Sequence, residues 1–315
     1  VTTTIAITTD TPGWHGARLR AALRHRGCKA PYLQLQDCVI DTRHPAGVRL
    51  PGFGNSLPDA VFVRGVPGGT LEQVVFHLNV LHVLKAAGVP VYNDGRALER
   101  SVDKSLTSFL LARGGVLTPP TWVCVQRGEA EAILEEETGR GHRMVLKPLF
   151  GSQGKGVIRL DRPDQLPPGD DYQGVYYLQR YMEGQQAGQK NGRAREGRDW
   201  RVLVVGGRAV AAMQRLGSGW ISNVARGGRV RSVPLSPELA EPAEKAVALL
   251  DMDYGGVDLV RDHRGVVHVL EVNSVPAWRG LQRVTPLDLA QCLVDDLLQR
   301  HVNRNAHGNP LEVVS

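Results

Sequence analysis

Two apolar runs on either side of a short turn constrain this chain more than any other feature. Gly256-Val257-Asp258-Leu259-Val260 and Val269-Leu270-Glu271-Val272-Asn273 flank Asp262-His263-Arg264-Gly265, a spacing that predicts a β-hairpin. Side chains alternate faces along a strand, so Glu271 and Asn273 share one face. Pairing Asp262 with Gly265 sets position 258 opposite 269 and 256 opposite 271, which makes Asp258 a diagonal neighbour of Glu271 on that face. Three oxygen-bearing side chains then meet on an otherwise apolar sheet, and buried carboxylates repel unless something positive lies between them. Such donors suit Mg²⁺, which takes one or two carboxylates and leaves its other positions to phosphate and water. Surface acids on a solvated strand would give the same letters, so the rest of the chain decides.

From the amino terminus the pattern alternates strand and helix. Thr4 to Thr8 is β-prone, and His15 to Arg26 reads as a helix closed by Gly27. Asp59 to Arg64 is a strand with a charged end. Leu71, Val74, Val75, Leu78, Leu81 and Leu84 recur at helical spacing up to Gly88, and Val89 to Asn93 is again a strand. Alternation of this kind implies a parallel sheet covered by helices, here a first domain over residues 1–97. Ligands of such sheets sit beyond the carboxyl ends of the strands. Arg64 is therefore a candidate substrate contact, although a plain surface arginine fits too.

Ser101 is the expected N-cap of the next helix, whose apolar stripe is Leu106, Phe109 and Leu110 and which stops at Gly114-Gly115. Lys104 falls in its first turn, where a cation is disfavoured; a nearby anion would account for it, and so would simple surface exposure. A glutamate-rich helix spans Glu129 to Thr138. Met144-Val145-Leu146-Lys147-Pro148 follows, a strand holding one lysine that is costly to bury without an anionic partner. Immediately after it, Gly151, Gly154 and Gly156 allow backbone N–H groups to approach phosphate oxygens. No GK[ST] opens a helix here, so the loop is no Walker A motif; Val157 to Leu160 returns as strand, making a glycine-rich hairpin lid. Val175 to Met182 is an apolar strand leading out of this lobe. Residues 184–197 are rich in Gln, Gly, Arg and Lys and read as a mobile basic loop, open to an acidic substrate or merely solvated. Asp199 to Val205 and Ala209 to Arg215 are strands joined at Gly206-Gly207, and 217–228 is a glycine-rich loop with Trp220, Asn223 and Arg226. A helix over Pro237 to Asp251 buries Leu239, Ala243, Val247 and Leu250. A closing amphipathic helix covers 288–301, and 303–315 reads as a disordered tail.

At 315 residues the chain has room for two or three domains. No apolar run reaches the roughly 20 residues of a membrane helix, and Val1-Thr2-Thr3-Thr4 opens no signal peptide. The four scattered cysteines, without CxxC spacing, read as reduced thiols. Together these predict a cytoplasmic protein with no membrane partner. Net charge is +6, which suits nucleic acid or a small polyanion equally. With 5% aromatic residues and no basic stripe interleaved with aromatics, the nucleic-acid reading has little support.

The ordered pieces now on the page resemble the ATP-grasp superfamily, and within it the RimK-type α-L-glutamate ligases. They are Val61 to Gly65, Gly88 to Asn93, Asp103-Lys104, Lys147-Pro148 with Gly151 to Gly156, Gly197 to Arg201, Ala211 to Arg215, Asn223 to Gly228, Gly256 to Leu259 and Glu271 to Ser274. The resemblance implies a mixed α/β and α+β molecule with an ATP-grasp fold. A Rossmann-like pre-ATP-grasp domain (1–97) would precede a central lobe with the lid (98–182) and a carboxyl-terminal lobe with the metal site (183–302), the two lobes sandwiching ATP. It implies ATP- and Mg²⁺-dependent joining of a carboxylate to an amine through an acyl phosphate, with two ions expected and Mn²⁺ an allowed substitute. L-glutamate would be the amine, and a small acidic cofactor or a protein carboxyl terminus the acceptor. Family members are often dimers or tetramers, so the resemblance allows a homo-oligomer.

Carried across by motif, Lys104 and Lys147 would contact phosphates, with Lys147 and Arg215 as the catalytic cations. Gly151, Ser152, Gly154 and Gly156 would cover the phosphates. Gln179, Arg180, Tyr181 and Met182 would hold adenine, chiefly through the backbone at Arg180 and Met182, and Asp199 would sit near the ribose or the start of the acceptor site. Arg64, Arg201, Asn223, Arg226 and Asn273 would bind substrate, and Asp258, Glu271 and Asn273 the metal. Arg180 stands where many relatives carry an acid. Ala277-Trp278 replaces a common Pro-Gly pair on the acceptor side, and residues 1–58 match only loosely. A dipeptide- or D-alanine-type ligase on the same fold, and an ATP-binding regulatory protein without turnover, are the alternatives.

Overall fold

The computed structural model describes residues 2–151, 154–182, 197–217 and 229–302. Most of the expected basic loop, nearly all of the glycine-rich segment 217–228 and the tail from 303 lie outside them. In chain order the strands and helices begin with β1 (Ile5–Thr8), α1 (Gly13–His25), β2 (Tyr32–Leu33), β3 (Val39–Ile40), β4 (Val48–Arg49), β5 (Ala60–Val63), α2 (Leu71–Ala86) and β6 (Val91–Tyr92). Then come α3 (Gly95–Val102), α4 (Lys104–Arg113), β7 (Thr121–Cys124), α5 (Arg127–Gly139), β8 (Met144–Lys147), β9 (Ile158–Leu160) and β10 (Tyr176–Arg180). The remainder is β11 (Gly197–Val205), β12 (Arg208–Gly217), β13 (Arg229–Ser232), α6 (Pro237–Leu249), β14 (Tyr254–Arg261), β15 (Val267–Asn273), α7 (Arg279–Gln282) and α8 (Leu289–Leu297).

These elements form two compact units. The first takes Val1–Leu98, Met252–Gly255 and the described residues from Ser274 on; the second takes Glu99–Asp251 and Gly256–Asn273. In the first, β2-β1-β5-β6 make the expected parallel sheet. Every residue of β1 and β5 is buried, as a sheet covered on both faces requires. Helix α2 starts on a capping box in which Thr70 and Gln73 satisfy each other's backbone N–H. Its expected apolar stripe holds only over the second half: Leu81 and Leu84 are buried, together with His77 and Val80, while Leu71 and Val75 are exposed. The sheet it covers is short, so the first two turns overrun it. Helix α1 is joined to α8 by ion pairs Arg18–Asp288 and Arg26–Asp295, at 2.6 and 2.7 Å. The closing helix ends at Leu297, with a wider-turned segment from Leu298 to Val302 where 288–301 was expected to run on as one helix.

In the second unit β7-β10-β8-β9 form an antiparallel sheet backed by α5, whose Ala130 and Leu134 are buried in its core. β13-β12-β11-β14-β15 form a five-stranded sheet that α6 covers with Leu239, Ala243 and Val247, as expected. Ser101 is not the N-cap; Asp103 is, accepting the N–H groups of Ser105 and Leu106. A short helix already occupies 95–102, so α4 starts later than expected. Leu106 and Phe109 face solvent, while Thr107, Ser108 and Leu111 face inward, Ser108 because its hydroxyl meets the Tyr177 hydroxyl at 2.8 Å.

The hairpin forms in a shifted register. Asp258 lies directly opposite Glu271 and Gly256 opposite Asn273, where a diagonal was expected. Asp262 pairs with Val266 around a three-residue loop; its N–H reaches the Val266 carbonyl at 2.9 Å. Gly265 takes φ +87°, a conformation that favours glycine. A bulge between Asp258 and Leu259 then brings the two acids face to face.

Candidate active site

Lys147 ends β8 opposite Tyr177 on β10. Its Nζ donates to Gln179 Oε1 at 2.6 Å. Gln179 in turn donates to Thr121 Oγ1 and the Tyr177 hydroxyl, at 3.0 and 3.1 Å. A buried polar string thus runs Lys147–Gln179–Tyr177–Ser108 and fixes the ammonium. Burial pulls the Lys147 pKa down to about 8; Glu271 opposes this, Lys104 adds to it, and Asp258 opposes it. Lys104, the first residue of α4, turns its Nζ onto the carbonyls of Leu149 and Gly151, at 3.1 and 2.9 Å. Burial lowers its pKa as well, against Glu271 and Asp103. The lysine that looked misplaced in sequence therefore grips the start of the glycine hairpin. Gly151, Gly154 and Gly156 lie in that hairpin between β8 and β9 with positive φ; Ser152 lies outside the described residues.

The strand leaving this sheet offers its backbone selectively. The N–H groups of Arg180 and Tyr181 go to the carbonyls of Pro120 and Arg143, both within 2.9 Å. Proline has no N–H to return, so the ladder leaves the Arg180 carbonyl open, with Tyr181 and Met182 following. The Arg180 side chain is held away by Glu137, which accepts from Nε at 2.8 Å and pairs with the guanidinium at 2.7 Å.

On the larger sheet, Asp199 and Arg201 of β11, Arg215 of β12 and Asp258 of β14 form a chain of ion pairs, Arg201–Asp258–Arg215–Asp199. Arg201 forks both oxygens of Asp258 at 2.6 Å each. Arg215 reaches Asp258 at 2.9 Å and Asp199 at 2.5 Å. Bidentate pairs of this kind are the strong ones. Burial would raise the Asp258 pKa, but Arg201 and Arg215 more than offset it and hold it low. Burial raises Asp199 to about 6 despite Arg215, with Asp258 adding to the rise. Glu271 stands across the hairpin from Asp258. Asn273 turns its amide nitrogen toward the Gly256 carbonyl at 3.4 Å, so its oxygen is the atom a cation would meet.

Asp258, Glu271 and Asn273 offer only oxygen, which fits a hard divalent cation in kind. Among the described residues, no three or more His, Cys, Asp or Glu side chains form a ready metal cage, and Asp258 already has guanidinium on both oxygens. A cation here would replace Arg201 as the compensating charge and would draw its remaining ligands from elsewhere. Asn223 and Arg226 lie outside the described residues. Arg64 belongs to the first unit, at the end of β5. Sequence reasoning missed Tyr177 and Ser108, because a tyrosine in an apolar strand and a serine in a helix read as core and surface.

A family model for the RimK-like ATP-grasp domain matches residues 101–297. Among known proteins, the tetrahydromethanopterin:alpha-L-glutamate ligase of Methanosarcina acetivorans is 29% identical over 331 aligned positions, covering 93% of this chain and 97% of that protein. The protein of the same name in Methanocaldococcus jannaschii is 32% identical over 251, covering 76% and 79%. Among solved structures, the ATP-grasp ligase PsnB complexed with a minimal precursor matches with a TM-score of 0.71 at 20% identity, over 95% of this chain and 99% of that one. The macrocyclase MdnB from Microcystis aeruginosa matches at 0.67 and 16% identity, over 94% and 99%. The expected ATP-grasp fold is thereby borne out.

Proposed function

The chain belongs to the RimK-like ATP-grasp family, and from that premise we propose that it is an ATP- and Mg²⁺-dependent carboxylate–amine ligase that adds L-glutamate to a small acidic acceptor. The observation that carries this reading is electrostatic. Glu271 on the other sheet lies close enough to both lysines of the glycine hairpin to favour their charged forms, and Asp258 close enough to do the same for Lys147. That is the arrangement a triphosphate and its cation call for. The names of the relatives supply glutamate and suggest a pterin-like acceptor.

On this reading residues 1–97, 98–182 and 183–302 act as pre-ATP-grasp domain, lid lobe and metal lobe. Lys104 and Lys147 hold phosphate oxygens under Gly151, Ser152, Gly154 and Gly156. The Arg180 carbonyl and Met182 take the adenine edge, Tyr181 lines it, and Gln179 keeps Lys147 pointed inward. Asp258, Glu271 and Asn273 would hold Mg²⁺, with two ions expected, and the metal would neutralise phosphate charge. Arg201, released from Asp258, is free to fork a substrate carboxylate, with Asn223 and Arg226 as further contacts. The carboxylate attacks the terminal phosphate and ADP leaves. Arg215, still anchored on Asp199, stabilises charge on the transferred phosphoryl group. The glutamate amine then displaces phosphate from the acyl phosphate and leaves an amide. The four free cysteines fit a cytoplasmic setting, and no described helix is long and apolar enough to cross a membrane.

The test is ADP release from Mg·ATP with a panel of amino acids, each with and without a set of acidic acceptors. Release that requires both glutamate and one acceptor, and that falls by about 10³-fold or more in Glu271→Ala, is the expected result. Release with another amino acid in its place, or full activity in Glu271→Ala, overturns the reading.

A further inference from the structure

A second group of charged and aromatic side chains lies wholly within the first unit, at the carboxyl edge of its parallel sheet. Arg64 follows β5 directly. Its guanidinium is largely withdrawn from solvent, and its Nε is buried with no hydrogen-bond partner. Burial lowers its pKa, and the Tyr254 hydroxyl opposes that; this hydroxyl is itself donated to the Val63 carbonyl at 2.7 Å. Trp14 and His15 stand in the first turn of α1. Trp278 and Arg279 lead into α7. His15 Nε2 accepts the N–H groups of both Trp278 and Arg279, at 3.1 and 3.2 Å. A ring nitrogen that accepts twice carries no proton, so the imidazole is neutral with its hydrogen on Nδ1. Burial, then Arg64, then Arg279 hold its pKa down to about 4. Trp14 and Trp278 meet edge to face at 4.9 Å, His15 and Trp278 likewise at 4.9 Å, and the Arg279 guanidinium lies 5.8 Å from the Trp14 ring centre.

The charge count is lopsided. Two arginines act on one neutral imidazole, and among the described residues no carboxylate pairs with either; Asp10, at the end of β1, is exposed. A buried cation without a counter-charge is costly. A fold keeps one where a ligand supplies the missing anion, and the guanidinium fork matches an oxyanion in geometry. The rigid tryptophans and the doubly accepting histidine fix the walls before any ligand arrives. Carboxyl edges of parallel sheets are also where ligands of such folds enter.

We propose that Arg64 and Arg279, walled by Trp14, His15 and Trp278, form a binding site for the carboxylate of a small acidic molecule. Only the identity of that molecule as the acceptor rests on the ligase reading; the site itself does not.

Calorimetric titration of the full chain, without nucleotide or magnesium, tests it. Glutarate is the probe, and glutaramide its neutral counterpart. The expected result is glutarate binding without glutaramide binding, weakened tenfold or more in Arg64→Met and several-fold in Arg279→Ala, and unchanged in Lys147→Ala. Thermal unfolding of Arg64→Met guards against a merely structural arginine. Removing an uncompensated buried charge leaves the midpoint unchanged or raises it by a few degrees. Equal binding of both probes, no binding of glutarate, binding indifferent to Arg64→Met, or a lowered midpoint in that variant each overturns the proposal. If ADP release fails with every acceptor while this binding pattern holds, the ligase reading falls and the site stands.

Discussion

Lys147 shows what one residue carries. Its ordinary value is 10.5, and burial brings it to about 8 in the folded chain. Between pH 8 and 10.5 the unfolded chain therefore holds a proton that the native state has lost, so this group's contribution to stability rises with pH across that window. Below it, the buried ammonium is a burden that only an anion relieves. Nucleotide affinity measured by calorimetry should thus be greatest below pH 8. It should fall by up to about tenfold for each further pH unit, and the slope should vanish in Lys147→Ala, whose affinity is already low. This much was legible in the sequence, because a lysine inside Met144-Val145-Leu146-Lys147 contradicts its surroundings. Asp258 and Glu271 announced themselves in the same way. Arg201's fork on Asp258 was not legible, since it depends on β11 and β14 lying in one sheet. The string through Gln179 and Tyr177 was hidden for a similar reason: a phenol in an apolar run advertises only its ring.

At the scale of elements, the glycine hairpin is the piece most sensitive to a single methyl group. Gly156 has φ +69°, and a Cβ there would stand 2.8 Å from Pro148 Cγ. Its carbonyl also accepts the Tyr172 hydroxyl at 2.8 Å, which ties the return strand to the lobe beneath. Gly156→Ala should cost about 1–2 kcal/mol in urea unfolding from the left-handed backbone alone. It should also weaken nucleotide binding more than a surface substitution such as Glu136→Ala does. The existence of this hairpin followed from glycines between two apolar runs. The metal-type hairpin followed as well, but not its register: period-two alternation places side chains on faces, yet nothing in it marks the bulge after Asp258. Helix α4 shows the converse limit. Its start lies a few residues later than expected, at the Asp103 cap, and Leu106 and Phe109, expected on the apolar stripe, are exposed.

At the scale of the molecule, the first unit is assembled from three separate stretches of chain. Tyr254 gives its hydroxyl to Val63 from one of them, and Asp288 and Asp295 hold α1 from another. Residues 1–98, which look like a complete strand–helix domain when read in order, should not fold when expressed alone. Circular dichroism with heating should show no cooperative transition, whereas the full chain unfolds with one. A sharp transition in the fragment would show that the later stretches are ornament. Sequence periodicity could not reveal this, because the borrowed pieces are short and their partners lie 191 to 270 positions away.

Asn93 belongs to the same assembly. Fully buried, it donates to the carbonyls of Tyr254 and Ser274 at 2.8 and 2.9 Å and accepts the N–H of Asp253 at 2.6 Å. One side chain thus gathers the entry and the exit of the stretch that carries Asp258, Glu271 and Asn273. Considered as inheritance, that stretch is a cassette with both seams in one place. Recombination that exchanges Gly256–Asn273 for the matching piece of a relative alters the acids and their turn while cutting the chain at neighbouring points. Such an exchange must keep Asn93 at the seams and the partners the stretch meets elsewhere, Arg201 and Arg215 on Asp258 and β11 beside β14.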